Sequence, residues 1–390
     1  MNHFSRYLAP ALLGTALMTL PQAAHAQDMD AVLERLQELL AEQTIDLDWE
    51  NAAIDGDGAV LTGVTASDPS GETPLGDIVL SDVAETPDGF RIGEMTMENY
   101  VHGEGDFSLA IDGAVLTGIV LPHDGAGAAY GGMFFYETAE ISELRASMGD
   151  AEVFVLTNFN ITATPISDDQ PMTFSGGAES FEADLSAIEG ADAARTIERL
   201  GYEQIAGRFD TAGSWEPQEG RLAVSRFDLT VDEGGMLGLA FDIGGYTPEF
   251  VRALNELQGS MAESGNESAG SMAMMGLMQQ LTLHEADIYF HDETLTSRVL
   301  ALFAEDQGMR PQDVVNQAKA MLPFLLAQIG APQLGTMIAD ALSTYLDDPQ
   351  SLRISARPEE PVPFALLAAG AMASPQALAD QIGLDIVANE

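Results

Sequence analysis

The chain has 390 residues, 62 of them Asp or Glu against 15 Lys or Arg, and it contains no Cys. A formal charge of −47 excludes a nucleic-acid binder working through its own surface, because phosphate demands a basic patch. The missing thiol excludes disulfide scaffolds, thiol catalysis, Cys-ligated zinc and Cys-linked lipidation, while a 46 % hydrophobic share suffices for a core.

Residues 1–26 read as a secretory signal peptide. Arg6 supplies positive charge, Leu8–Leu20 is an apolar run, and Ala24-His25-Ala26 places small residues at −3 and −1, so cleavage is expected before Gln27. The run stops at Pro21, well short of the ~20 residues a membrane span needs. No later segment is longer than the apolar stretch Phe364–Ala373. The expectation is a soluble, periplasmic chain with no transmembrane segment after cleavage. All 62 acids follow the predicted cleavage site, and the only Lys is Lys319. Such a surface fits either general solvation in a salty medium or docking of a basic protein.

Val32, Leu36, Leu39 and Leu40 form one helical face over Asp30–Gln43. The period then changes to two. Ile45, Leu47 and Trp49 alternate with Asp46, Asp48 and Glu50, and alternation returns over 59–65, 77–83, 89–97, 106–111 and 114–121. Asp55-Gly56, Asp57-Gly58, Asp88-Gly89 and Asp112-Gly113 mark hairpin turns between these runs. Gly58-Ala59-Val60-Leu61-Thr62-Gly63 recurs as Gly113–Gly118, which suggests a sheet grown by duplication.

After a Gly-rich loop at 123–132, strands are predicted at 133–140, 152–163, 172–175, 204–215, 221–231 and 236–243, with a helix over Ala191–Leu200. Thr247 as N-cap and Pro248 at the first turn start another helix, and 259–271 is expected to be mobile. Leu281–His291 is a further strand. Helices are expected near 295–306, 311–329, 333–346, 363–373 and 375–382, with strands at 351–356 and 384–387. The fold class is α+β: a β-rich antiparallel meander, a curved sheet or sandwich, with a helical carboxyl-terminal section. The expected division is signal peptide 1–26, β-rich body 27–245, and a helical section 246–390 packed on the body.

No nucleophile elbow, phosphate-binding loop or His-Glu-x-x-His helix occurs, so no enzymatic activity and no cofactor are expected. Glu285, Asp287, Tyr289 and His291 share one strand face about 6.6 Å apart, a spacing that suits a divalent cation and a metal-dependent hydrolase; the alternative is a solvent-facing polar row. Asp55-Gly56-Asp57-Gly58 fails the calcium-loop pattern, because Ala59 and Ala66 stand where the fifth and twelfth ligands belong. Met272, Met274, Met275 and Met278 suit either cuprous copper or apolar filling.

Asp347-Asp348-Pro349-Gln350 before Ser351–Ala356, then Pro358–Phe364 and Pro375-Gln376-Ala377-Leu378, resemble closing segments of exported alphaproteobacterial proteins of unknown function. More distantly, residues 281–390 resemble the AsmA-like periplasmic proteins. That resemblance implies a long β-rich body with helical ends and a role in moving lipid. A sheet with one apolar face would then hold a lipid or other apolar ligand, gaining about 0.8 kcal/mol per buried methylene. Strand parity nominates Phe134, Phe154, Phe159, Phe174, Phe227 and Phe241 as its lining, unless they fill a closed core. The function expected is non-enzymatic binding or scaffolding, with a partner-docking protein and a metal-dependent hydrolase as alternatives.

Overall fold

Among the described residues, alternation of apolar and polar side chains builds one open antiparallel sheet of seventeen strands. The computed structural model describes residues 28–41, 45–68, 71–123, 135–165, 170–187, 191–264, 267–328 and 330–390. The predicted leader and Phe134 lie outside the described residues. The strands are β1 Asp46–Asp48, β2 Asn51–Asp55, β3 Gly58–Asp68, β4 Gly71–Thr86, β5 Gly89–Met97, β6 Tyr100–Glu104, β7 Phe107–Pro122, β8 Thr138–Met148 and β9 Ala151–Ala163. There follow β10 Met172–Asp184, β11 Gln204–Glu216, β12 Arg221–Val231, β13 Gly235–Gly244, β14 Thr282–Asp292, β15 Ser351–Ala356, β16 Val362–Pro363 and β17 Leu384–Ala388. The helices are α1 Met29–Ala41, α2 Ala191–Leu200, α3 Pro248–Ser264, α4 Glu267–Met278, α5 Leu295–Gln307, α6 Pro311–Ala327, α7 Pro332–Asp347, α8 Phe364–Ala373 and α9 Pro375–Gln381.

From β7 to β14 each strand pairs with the next one in the chain. Asp46↔Ser67 and Asn51↔Thr62 share one register, so β1 and β2 are two pieces of a single edge strand on β3. β5 and β6 are likewise two pieces of one strand on β7, through Met97↔Ala114 and Tyr100↔Ile111, but β5 is interior, since β4 pairs on its other side. At the other edge β14 carries β15 and β16, and β17 pairs with β15. Among the described residues no helix is long and apolar enough to cross a membrane.

Several local expectations need correction. Asp55↔Gly58 pair directly, so the first hairpin loop is Gly56-Asp57 rather than an Asp-Gly pair. Gly105-Asp106 and Gly149-Asp150 close two more hairpins in the same way. In all three only the glycine has positive φ, between 61° and 64°, which is the first central position of a type II′ turn. Asp112-Gly113 makes no turn: it lies inside β7, where Gly113 takes φ 62° and the strand continues. The segment 259–271, expected to be mobile for its Ser and Gly, is helical at its described positions, in α3 and α4. Thr247 caps α3 as expected, its Oγ1 accepting from the Phe250 amide at 3.2 Å.

The main core sits where α1 crosses the first strands. Val32, Leu36 and Leu39 pack against Leu61, Leu80, Ile92, Ile119 and Leu121, all buried. Each such side chain contributes about 1.5–3 kcal/mol on leaving water. Arg35 anchors the helix, its Nε donating to the Pro122 carbonyl at 2.6 Å.

A candidate apolar binding face

Residues directly opposite one another on antiparallel strands point to the same face. One such line runs through Ala52, Leu61, Ile78, Met97, Ala114, Ile141, Phe159, Ala178, Phe209, Leu229, Leu237, Phe290, Leu352 and Ala388. It crosses the whole sheet without a polar side chain, a path of roughly 60 Å at about 4.8 Å per strand. Two residues along each strand lies a second line. It includes Leu80, Met95, Leu116, Ile161, Phe227, Leu239, Ile288, Ile354 and Ile386, with Thr211 as its one polar member.

The two lines are covered unequally. Under α1 they are buried, whereas on β12 to β15 they meet solvent: Leu237 is 51 % exposed, Ile288 48 % and Phe227 44 %. At that end α2 and α5 rise beside the sheet and partly cover a solvent-open recess of about 390 Å³. Its floor is Leu229, Leu237 and Phe290 from the first line, and its walls are Ile197, Leu200, Ile205, Val231 and Leu295. Arginines hold this roof. Arg298 on α5 donates to the Leu200 carbonyl at 3.1 Å, pairs with Glu233 at 3.3 Å, and lies 4.6 Å over the Tyr202 ring. Arg199 on α2 reaches Asp306 at 2.7 Å. The volume falls at the low end of small-molecule sites, and the lining offers an apolar tail nearly nothing to hydrogen-bond.

The sequence-nominated phenylalanines divide. Phe159 and Phe227 lie on the two lines, with the Phe209 ring between them at 6.1 and 6.3 Å. Phe174 and Phe241 belong to a third line on the same face, through Gly213, Val224, Ala286 and Ala356. Phe154 lies further along the same face, opposite Ala183, which in turn pairs with Ile205 of the cavity wall; it also borders a recess rimmed by Glu152, Glu182, Asp184 and Gln204. The aliphatic floor of the cavity was missed in sequence. Its signal was there: Leu229 keeps strict parity with Phe227, and Leu237 with Phe241.

The opposite face of β14 carries the other candidates. Asp287 is only 4 % exposed, and its carboxylate accepts from Arg353 Nε at 2.7 Å and Arg357 Nη2 at 2.6 Å. Arg357 Nε also reaches Glu285 at 2.8 Å. Two guanidinium groups thus take up the oxygens that a divalent cation would need, and His291 makes no third ligand with them. Among the described residues no group of three or more His, Asp or Glu is placed to hold a metal ion. The Asp287 partnership raises the Arg353 pKa further. The Tyr289 ring lies across Gly238, where an added Cβ would meet it at 2.0 Å, and its hydroxyl donates to Asp228. Burial first, then that bond, pushes the phenol up to about 12. The polar row is therefore not a free solvent face; its central carboxylate is buried between two guanidinium groups.

The cavity floor (Leu229, Leu237 and Phe290), the exposed Leu239 and Ile288, and Asp287 all fall in one matched region. A family model described as an uncharacterized protein matches residues 228–389. The carboxyl-terminal part of the chain is similar to that family. The match covers most of the segment with the sequence resemblance and carries no description of AsmA-like or alphaproteobacterial proteins. No curated protein matches the chain.

Proposed function

We propose that the protein is an exported, soluble, non-enzymatic binding protein that holds an apolar chain, such as the acyl tail of a lipid, against the apolar face of its sheet. The observation that carries this reading is the unbroken cross-strand line from Ala52 to Ala388, open to solvent over β12 to β15 and roofed at the α2–α5 cavity. A monomer gains nothing by leaving Phe227, Leu237, Leu239 and Ile288 together in water, and contiguous exposed apolar surface marks a binding site. Burying an acyl chain yields about 0.8 kcal/mol per methylene, so a long tail needs no catalytic or charged group to be held. The acyl layer of one leaflet is about 15 Å deep, half the hydrocarbon core, so the line has room for more than one such chain end to end.

The test is extraction and native mass spectrometry of the protein purified from its own export compartment. The reading expects a lipid-mass adduct that is depleted in Leu237→Asp, a change at an exposed position that spares the α1 core. A bare protein that also takes up no added fatty acid contradicts it.

A further inference from the structure

From Asp28 on, acids occur throughout the chain, yet three stretches of seventeen residues or more have none: 268–284, 314–339 and 361–379. Apart from Lys319 they carry no Lys or Arg either. They comprise α4 with the start of β14, most of α6 with the start of α7, and β16 with α8 and most of α9.

The fold gathers all three at one end of the sheet. β13 ends and β14 begins there, at Gly244↔Thr282. Thr282 also pairs with Pro363, and the Phe364 amide donates to the Leu281 carbonyl at 3.0 Å, which plants α8 beside the end of α4. Leu384, which begins β17, packs with Leu334 of α7 and Ala379 of α9. Leu326, at the end of α6, lies against Gly335. On these helices large apolar side chains point into solvent: Phe324 is 78 % exposed and Met372 90 %, with Met275, Leu325 and Leu366 each above half.

We propose that this end of the sheet is a membrane-docking surface, which seats its Phe, Leu and Met tips in the interfacial layer of a lipid bilayer. Three observations favour a bilayer over other occupants. A second copy would bring a second formal charge of −47 to the contact. The three stretches contain no Trp, Tyr or Arg, the residues that anchor protein interfaces. Removal of carboxylates is what a lipid surface requires, since each one would carry a desolvation cost and repel anionic headgroups, while exposed Phe, Leu and Met supply shallow insertion. The proposal goes beyond the apolar-face reading and does not depend on it, because contact with vesicles is scored without any ligand in the cavity.

The test is flotation, with phosphatidylcholine vesicles, of the protein purified from its own export compartment. The parent floats with the vesicles, and better with these than with phosphatidylglycerol vesicles at low salt. Phe324→Asp with Met372→Asp lowers the floated fraction roughly tenfold. Val101→Asp, on β6 and 70 % exposed, leaves it unchanged. Circular dichroism checks folding, and Met275→Asp with Leu366→Asp serves as a second pair should the first fail to fold. A parent that does not float, or pairs that float as well as the parent, overturns the proposal. So does a concentration-dependent dimer that these substitutions abolish in the absence of flotation, which would assign the surface to a second copy.

Discussion

Tyr289 and Ile288 are neighbours on β14 with opposite surroundings: the phenol hydroxyl donates to Asp228, while the Ile288 side chain stands 48 % exposed on the apolar face. The phenol pKa rises from 10.0 to about 12, because burial and the Asp228 bond both favour the protonated form. A raised folded-state pKa gives stability that is complete below the unfolded value of 10.0 and is lost as pH climbs through about 12. The wild type should therefore exceed Tyr289→Phe in urea midpoint at neutral pH, and the gap should close between pH 10 and 12. A gap that widens over that interval contradicts the assigned bond. Residue types on β14 were legible in sequence, but their exposure was not. Alternation tells which side chains share a face and not which face is covered; Asp287 is buried because Arg353 and Arg357, on and just beyond another strand some 66 and 70 residues away, close over it.

At the scale of elements, the repeated hexapeptide marks a local device. Gly63 and Gly118, the last residue of each copy, have φ 64° and 63°. A Glu side chain lies against each, Glu50 and Glu137, and the amide of that Glu donates to the Thr62 or Thr117 carbonyl at 2.9 Å. The Glu comes from the preceding strand edge in the first copy and from the segment leading into the following strand in the second, so the echo repeats a bulge and not a duplicated hairpin. An L side chain at such a φ costs about 1–2 kcal/mol, and an added Cβ must also displace the Glu. Gly63→Ala and Gly118→Ala are each expected to lower unfolding free energy by about 1–3 kcal/mol in urea titrations, and an unchanged midpoint contradicts the bulge account. The helices after β14 were readable almost to the residue from their 3.6-residue period and their prolines, whereas α4 was not. The bulges were not, because a single left-handed residue leaves no trace in alternation beyond a glycine whose use is ambiguous.

For the whole molecule, a charge of −47 with only 15 basic side chains leaves most carboxylates without an ion-pair partner. Self-repulsion should dominate over the scattered surface pairs, which are each worth little. The melting temperature is expected to rise when salt goes from about 0.01 M to about 1 M, as the Debye length falls from ~30 Å to ~3 Å. A fall over that range would mean that the arginine pairs outweigh the repulsion.

The meander, its α+β class and the apolar parity of its strands were all visible in the alternation. Which part of the apolar face stays open was not, since it depends on where α1, α2 and α5 come to rest. That open face is the central claim, and site-directed photocrosslinking tests it most directly. A benzophenone side chain is placed at Leu239, on the apolar face, or at Arg353, on the reverse of the sheet, and the protein is illuminated in the presence of radiolabelled phospholipid. The account predicts labelled protein from position 239 and none above background from position 353. Equal labelling at both, or none at 239, would contradict it.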